Sequence, residues 1–353
     1  MTAVQDIPAL RQRLRALGAA SVHEGRVLRR WLSNQDQQGG RRKAEHFLPL
    51  ALREDLPQLL ADLDALARVE STHPGEDGSA RLLVALADGQ TIEAVRLPTG
   101  QDGGRIPGLC VSTQVGCAVG CQFCMTGTGG LVRQLGSTEI VAQVVLARRL
   151  GPVSKVVFMG MGEPAHNLAA VLDAIDLLGT EGQIGHKNLV FSTVGDERVF
   201  DALPRQRVKP ALALSLHTTK AALREQLLPR APRLTPERLV EAGEQYARAT
   251  GYPIQYQWTL LDGVNDGDDE VEGIVRLLSG KYALMNLIPY NSVPGLPFAR
   301  PSWERAADMA RRLHRAGVLT KLRHSAGQDV EAGCGQLRAR AATAQKQIPI
   351  HAA

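Results

Sequence analysis

The spacing of apolar side chains predicts helices first. Over 7–19 and 24–33 apolar residues recur at helical spacing (Leu10, Leu14, Leu17; then Val27, Leu28, Leu32), and they do so again over 54–68 around Leu56, Leu59, Leu60, Leu63 and Leu66. The polar stretch SNQDQQGGRRK (33–43) between them reads as a loop. The period then falls to two in RLLVALADGQTIEAVRLP, where Asp88-Gly89 between two strand-like runs predicts a hairpin. PTGQDGGRIPG (98–108) reads as a hinge. From Leu109 onward, β-rich runs at 109–115, 155–160, 187–193, 210–216, 253–260, 283–289 and 318–322 alternate with helical stretches at 137–150, 166–179, 235–250, 267–279 and 302–316. Strands separated by helix-length segments specify right-handed βαβ units and a parallel sheet. The expected fold is α/β: an incomplete (β/α)6 barrel rather than a doubly wound sheet. A small N-terminal helical module with a strand pair precedes it and a C-terminal extension follows. The expected division is 1–98 (helical module plus strand pair), 99–337 (catalytic barrel) and 338–353 (basic tail). In either architecture chemistry belongs at the C-terminal ends of the strands.

Composition narrows the class. At 353 residues the chain exceeds the size at which one core usually stops growing, which suits a large domain with a smaller attachment. A hydrophobic fraction of 44% and a charged fraction of 22% are those of a soluble globular protein. Aromatics, at 4%, leave few rings for stacking on bases. No apolar run approaches the roughly 20 residues that span a bilayer, and the first residues lack the apolar core of a secretory signal. A cytoplasmic, reducing location without membrane contact is expected, and with it no disulfide scaffold. The net charge of +5 is concentrated late in the chain, at Arg300, Arg305, Arg311, Arg312, Arg315, Lys321, Arg323, Arg338, Arg340 and Lys346. A basic surface attracts phosphate backbones without choosing among them, and a solvated basic face explains the same pattern.

The cysteines carry more information. There are five, and Cys117, Cys121 and Cys124 form C-x3-C-x2-C after the first strand of the alternating region. Three thiolates so close together can hold one soft metal centre. Structural zinc takes four ligands, so zinc would have to borrow Cys110, Cys334 or a distant histidine. A [4Fe–4S] cluster with three cysteine ligands would instead leave one iron open to a substrate.

The motif, with Phe123 before the last cysteine, resembles the radical S-adenosylmethionine superfamily. More specifically, residues 93–337 resemble the RlmN/Cfr family of radical S-adenosylmethionine RNA (adenine) C-methyltransferases. The words that match include CVSTQVGC (110–117), FCMTG (123–127), VFMGMGEP (157–164), FSTVG (191–195), LSLH (214–217), DGVND (262–266), NLIPYN (286–291) and GQDVEAGCGQL (327–337). The resemblance implies a radical S-adenosylmethionine barrel in which Cys117, Cys121 and Cys124 bind a [4Fe–4S] cluster whose fourth iron is chelated by S-adenosylmethionine. It implies two S-adenosylmethionine molecules per turnover. One methylates Cys334 on sulfur; the other is cleaved to a 5′-deoxyadenosyl radical that takes hydrogen from the S-methyl group. The carbon radical adds to adenine, and Cys110 then attacks the Cys334 sulfur, forming a transient disulfide that releases the methylated base. Glu93 matches the family's proton acceptor. Gly162, Glu163, Ser192, Ser215, Leu216, His217 and Asn291 match its cofactor contacts. The implied substrate is an adenosine in RNA, 23S rRNA or alternatively tRNA, modified at C2 in preference to C8. A reductant such as flavodoxin or ferredoxin, a monomeric enzyme and an RNA-gripping N-terminal module complete the expectation. LLPRAPRLTP (227–236) and PAHN (164–167) depart from the usual family words, which leaves the identity of the target open. Radical chemistry on a non-RNA substrate, a paralogue with another RNA target and a purely architectural metal site are the alternatives.

Overall fold

The computed structural model describes residues 4–39, 44–98 and 106–338. Helices α1 (Ile7–Ala16), α2 (Ser21–Leu32) and α3 (Leu50–Asp64) come first, followed by strands β1 (Ala67–Pro74), β2 (Ala80–Leu86) and β3 (Thr91–Leu97). The alternating region is β4 (Gly108–Cys110), β5 (Gln114–Gly116), α4 (Met125–Thr128), β6 (Leu131–Gln134), α5 (Ser137–Leu150), β7 (Lys155–Phe158), α6 (Leu168–Thr180), β8 (Leu189–Thr193), α7 (Glu197–Ala202), β9 (Ala211–Ser215), α8 (Ala221–Leu227), α9 (Pro236–Thr250), β10 (Ile254–Leu260), α10 (Asp268–Leu278), β11 (Ala283–Pro289), α11 (Trp303–Arg315) and β12 (Thr320–Leu322).

One ten-stranded sheet runs in the order β1-β2-β3-β4-β7-β8-β9-β10-β11-β12. From β4 to β12 all neighbours are parallel, as crossover helices require. Among the described residues the last strand does not pair with the first, so the barrel is incomplete. This is the α/β barrel that the alternation predicts.

Three local differences matter for the site. The front module carries three strands, not two: β1 is added, with alternate residues half-buried and exposed, a pattern too polar to stand out. The single run expected at 109–115 splits. Gly108–Cys110 stays in the main sheet, whereas Gln114–Gly116 turns away to pair antiparallel with β6. The short helices α4, α7 and α8 are also additional, each less than two full turns or only just so. Most of the expected hinge (99–105) and the basic tail beyond Arg338 lie outside the described residues.

The front module is joined to the barrel through both sheet and core. Antiparallel β3 extends the sheet at β4, with Val95 opposite Cys110. The α1–α2 region packs on the outside of α5: the Ile7 amide donates to Ser137 Oγ (2.7 Å), Thr138 Oγ1 to the Val4 carbonyl (2.5 Å) and Asn34 Nδ2 to the Val145 carbonyl (3.1 Å). Covered from both sides, α5 is buried at every residue from Ser137 to Ala147, which explains its apolar character all round.

Candidate active site

Local chain chemistry places the three neighbouring cysteines. The β5–β6 ribbon closes the base of their loop, where the Cys117 amide donates to the Gly130 carbonyl (2.9 Å). Gly116 makes the closure possible: its φ is +79°, and a Cβ there would stand 2.0 Å from the Gly130 oxygen. A tight turn then sets Cys124 N–H on the Cys121 carbonyl (3.1 Å), and the Gln122 amide ties the turn to the Leu227 carbonyl (3.0 Å). The loop is seated in a small apolar cluster with Phe123, Val194, Leu227, Leu228 and Leu261.

All three thiols line an open cavity of about 850 Å³, solvent at its mouth included. It lies over the C-terminal ends of the barrel strands. Gly162, Glu163, Ser192, Ser215 and His217 also line it, as do Cys334 and Gly335 from the far end of the chain. Burial pushes the Cys117 thiol up to about 12, and burial with the charges of its neighbours raises the Cys121 thiol well above its ordinary value, so free thiols here resist ionisation until something cationic binds. Three thiols lining one cavity are soft donors of the kind that hold a sulfur-ligated metal group.

Of the matched cofactor contacts, five line this cavity and two do not. Gly162 (φ +103°) packs so closely that a Cβ would lie 2.6 Å from Gln114 Cγ, which explains a glycine there. Glu163 is buried, and its two oxygens accept from the amides of Ala165 and Val194 (both 3.0 Å). Burial raises its pKa, while these hydrogen bonds oppose the rise. His217 Nδ1 accepts from the Thr259 amide (3.0 Å), and its ring meets Phe123 edge-on at 4.8 Å. Burial drops its pKa to about 3, so it is neutral at physiological pH with Nε2 as the donor. Leu216 is fully buried, and its carbonyl is held by Arg224 (2.8 Å). Asn291 is also outside the cavity lining: its amide donates to the Cys334 carbonyl (3.0 Å) and to Ser325 Oγ (2.9 Å).

The whole fold brings the distant cysteines close enough for the charge of one to act on the other. Cys110 ends β4 and is buried; Cys334 is exposed along the cavity, and both are free thiols. Burial, and after it the charge of Cys334, raises the Cys110 thiol far above its ordinary value. Cys334 also feels Cys124 and Arg323. The segment that carries it is held from two directions. On the barrel side the Met125 amide donates to the Gly335 carbonyl (2.7 Å), and Thr126 Oγ1 to the Leu337 carbonyl (2.5 Å). On the front-module side Arg81 Nε donates to the Val330 carbonyl (2.7 Å), and the Gly327 amide to Asp77 (3.0 Å).

Glu93 sits at this junction, fully buried on β3. Its Oε1 is ion-paired to Arg81, and its Oε2 accepts from the Arg338 amide (3.0 Å). The carboxylate thus touches the segment that carries Cys334. Sequence reasoning overlooked two arginines. Arg81 is a lone charge inside the apolar run ARLLVAL, which was the available signal. Arg224 had none. Nearly buried, it donates to the Ser215 and Leu216 carbonyls (2.8 Å each) and to Val194, tying β8 to β9. Burial lowers its pKa to about 10, so it stays cationic near Cys121 and Glu163.

Fold and site together define a radical S-adenosylmethionine protein, and residues 111–278 match the family described as the radical SAM superfamily. A crystal structure of a radical SAM methyltransferase from Sphaerobacter thermophilus superposes with a TM-score of 0.82 at 36% identity, covering 96% of this chain and 99% of that one. Proteins named probable RNA methyltransferase match over nearly the full length. The one from Leptothrix cholodnii is 71% identical over 95% of this chain and 94% of its own, and the one from Pseudomonas aeruginosa 64% identical over 98% and 99%. The chain belongs to the family these relatives form, in agreement with the RlmN/Cfr-like motifs.

Proposed function

We propose that this protein methylates an aromatic carbon of an adenosine in RNA, C2 in preference to C8, through an S-methylated Cys334. The observation that carries the reading is that Cys334, on the cavity that the other three cysteines line, lies close enough to Cys110 for its charge to act on that thiol. A protein needing cysteines only for a metal would have no use for that second pair. Cys117, Cys121 and Cys124 would hold the [4Fe–4S] cluster; Glu163, Ser192, Ser215 and His217 would surround S-adenosylmethionine. When bound, these groups supply a one-electron route to an adenine C–H that is too unreactive for polar methyl displacement.

The chain's own residues do the rest. Cys334 carries the carbon, and splitting the transfer into a covalent stage and a release stage eases each. Cys110, whose thiol burial and the charge of Cys334 both raise, attacks the Cys334 sulfur: the S–S bond forms as the bond from Cys334 sulfur to the transferred carbon breaks, and the electron pair stays with that carbon, which takes up a proton to become the methyl group of the freed base. Glu93 accepts the adenine ring proton; its hydrogen bond to the Arg338 amide makes its availability depend on the position of the Cys334 segment. One S-adenosylmethionine methylates Cys334 and a second serves the radical stage. A flavodoxin- or ferredoxin-type reductant supplies the electrons, and rRNA is the favoured target, with tRNA the alternative.

The test uses two variants in cells. Cys110→Ala should accumulate an RNA–protein adduct because release is blocked. Mass spectrometry of rRNA and tRNA from a strain lacking the gene should show one methyladenosine lost and should identify its carbon. No adduct and no lost methyladenosine would overturn the reading.

A further inference from the structure

Tyr290 follows Pro289, the last residue of β11, at the C-terminal ends of the barrel strands. It is 1% exposed, and its hydroxyl makes no hydrogen bond among the described residues. Buried polar groups are satisfied in the great majority of cases, so an idle hydroxyl calls for an explanation. The residue is not free to turn away. Its amide donates to the Leu260 carbonyl (3.1 Å), its carbonyl accepts from Arg300 Nε (2.6 Å), and its ring meets Phe298 edge-on at 6.2 Å.

What surrounds the phenol narrows the choice of acceptor. Tyr290 belongs to the apolar cluster that seats the cysteine loop, with Cys117 and Phe123 as members and Cys121, Cys124 and Met125 packed against it. Within that cluster the side chains able to accept a hydrogen bond from the phenol are sulfurs; the others are hydrocarbon. The Val293 amide acts on the phenol, but it is a donor and cannot take the hydroxyl proton. Burial raises the phenol's pKa, that amide opposes the rise, and the charge of Cys124 adds to it, so Cys124 is close enough to act on this group. A neutral thiol or thioether is a weak acceptor, whereas a charged thiolate is a strong one. A free thiol at Cys124 therefore offers the hydroxyl little, and a metal-bound thiolate there offers it a partner.

We propose that the Tyr290 hydroxyl donates a hydrogen bond to the sulfur of Cys124 once that residue is a cluster-bound thiolate, and that this bond raises the reduction potential of the cluster. The inference rests on the assignment of Cys117, Cys121 and Cys124 to a [4Fe–4S] cluster and is independent of the RNA target. Reduction adds one negative charge to the cluster and its ligands. A donor on a ligand sulfur offsets part of that charge, and hydrogen bonds to the sulfurs are among the terms that set such potentials. The next residue, Asn291, holds the Cys334 carbonyl (3.0 Å), so two consecutive residues after β11 address both sets of cysteines.

The test is potentiometric titration of the reconstituted protein, followed by the electron paramagnetic resonance of the reduced cluster. Tyr290→Phe keeps the ring and removes only the oxygen, so its iron and sulfide content should match wild type. At a fixed applied potential its ratio of reduced to oxidised cluster should be about tenfold lower, a midpoint about 59 mV more negative for one electron. Electron–nuclear double resonance of wild type should find a cluster-coupled proton that exchanges in deuterated water and is missing from the variant. Tyr290→Met, which also lacks a donor but fills space flexibly, should show the same shift and takes over if the first variant loses iron. An unchanged midpoint, or an unchanged set of exchangeable protons, overturns the proposal. Loss of iron from both variants also overturns it, since the side chain would then matter as packing. If wild type assembles no [4Fe–4S] cluster, the cluster assignment fails and the inference falls with it; a cluster whose potential ignores Tyr290 removes the inference alone.

Discussion

The two sets of cysteines reach one cavity by opposite routes. Cys117, Cys121 and Cys124 are placed by a short ribbon, a glycine closure and one turn. Cys110 and Cys334 are placed by the first barrel strand, the front hairpin and the chain's last described segment, which must all be assembled first. A local device can be moved between proteins intact, whereas a pair made by the whole fold depends on every contact that holds its ends. The first set suits a resident cofactor that must stay put. The second suits a thiol that changes chemical state during turnover.

Variants should separate the two sets, with the largest effect first. Cys334→Ala should abolish methyl transfer to below detection while leaving the iron and acid-labile sulfide content unchanged. Cys121→Ala should lose both, since two thiols remain where the proposed cluster needs three. Equal loss of iron in the two variants would mean that Cys334 is a ligand and that the division is mistaken. Arg81→Met comes next. It strands the fully buried Glu93 carboxylate without its cation and should reduce unfolding stability by about 3–5 kcal/mol in urea. Adding Glu93→Gln should restore most of that, because the neutral amide no longer needs the guanidinium. A double variant as unstable as Arg81→Met would show that Arg81 acts through the Val330 carbonyl and not through Glu93.

His217 offers a pH test of the cavity wall. Its pKa in the folded protein is about 3, against about 6.5 unfolded, so the unfolded chain takes up the proton first. The contribution to stability is therefore fully present above about pH 6.5 and is lost as pH falls toward 3. Between pH 7 and pH 5 the loss should be about 2 kcal/mol, and His217→Gln should remove that share of the slope. An unchanged slope in the variant would show that the imidazole is not held neutral by its buried contacts with Thr259 and Phe123.

Legibility in the sequence follows the same division. The β/α alternation was readable because each buried strand and covering helix imprints its own period. The C-x3-C-x2-C loop was readable because its ligands are neighbours. Strand β1 was not, since a half-exposed edge strand such as RVESTHP shows little contrast between its faces. The break between Cys110 and Gln114 was hidden because both halves are apolar and β-like, and only the pairing of β5 with β6 reveals it. Family resemblance pointed to Cys110, Cys334 and Glu93. It did not reveal the Arg81–Glu93–Arg338 connection, which joins residues far apart in the chain and has no local pattern. Asn291 carries a second bond of this kind: beside the cofactor contact that its motif implies, its amide is bonded to the backbone of the methyl-carrier candidate, a link with no local pattern in the sequence.

That bond gives the smallest and most discriminating prediction. Asn291→Ala removes hydrogen bonds to the Cys334 carbonyl and Ser325 Oγ together with an acceptor for Arg300 (3.1 Å), so global stability should fall by only about 1 kcal/mol. Its local effect should be uneven. The segment around Cys334 loses one of its barrel-side anchors, and its amides should exchange about fivefold faster with deuterated solvent, the factor that 1 kcal/mol represents. The loop from Cys117 to Gly130 keeps its own closure through Gly116 and should exchange as in wild type. The two regions do share two bonds, from the Met125 amide to the Gly335 carbonyl and from Thr126 Oγ1 to the Leu337 carbonyl. Equal acceleration in both would therefore mean that these bonds couple them into a single opening unit, and the Cys334 segment could not then move without disturbing the loop that holds the other three thiols.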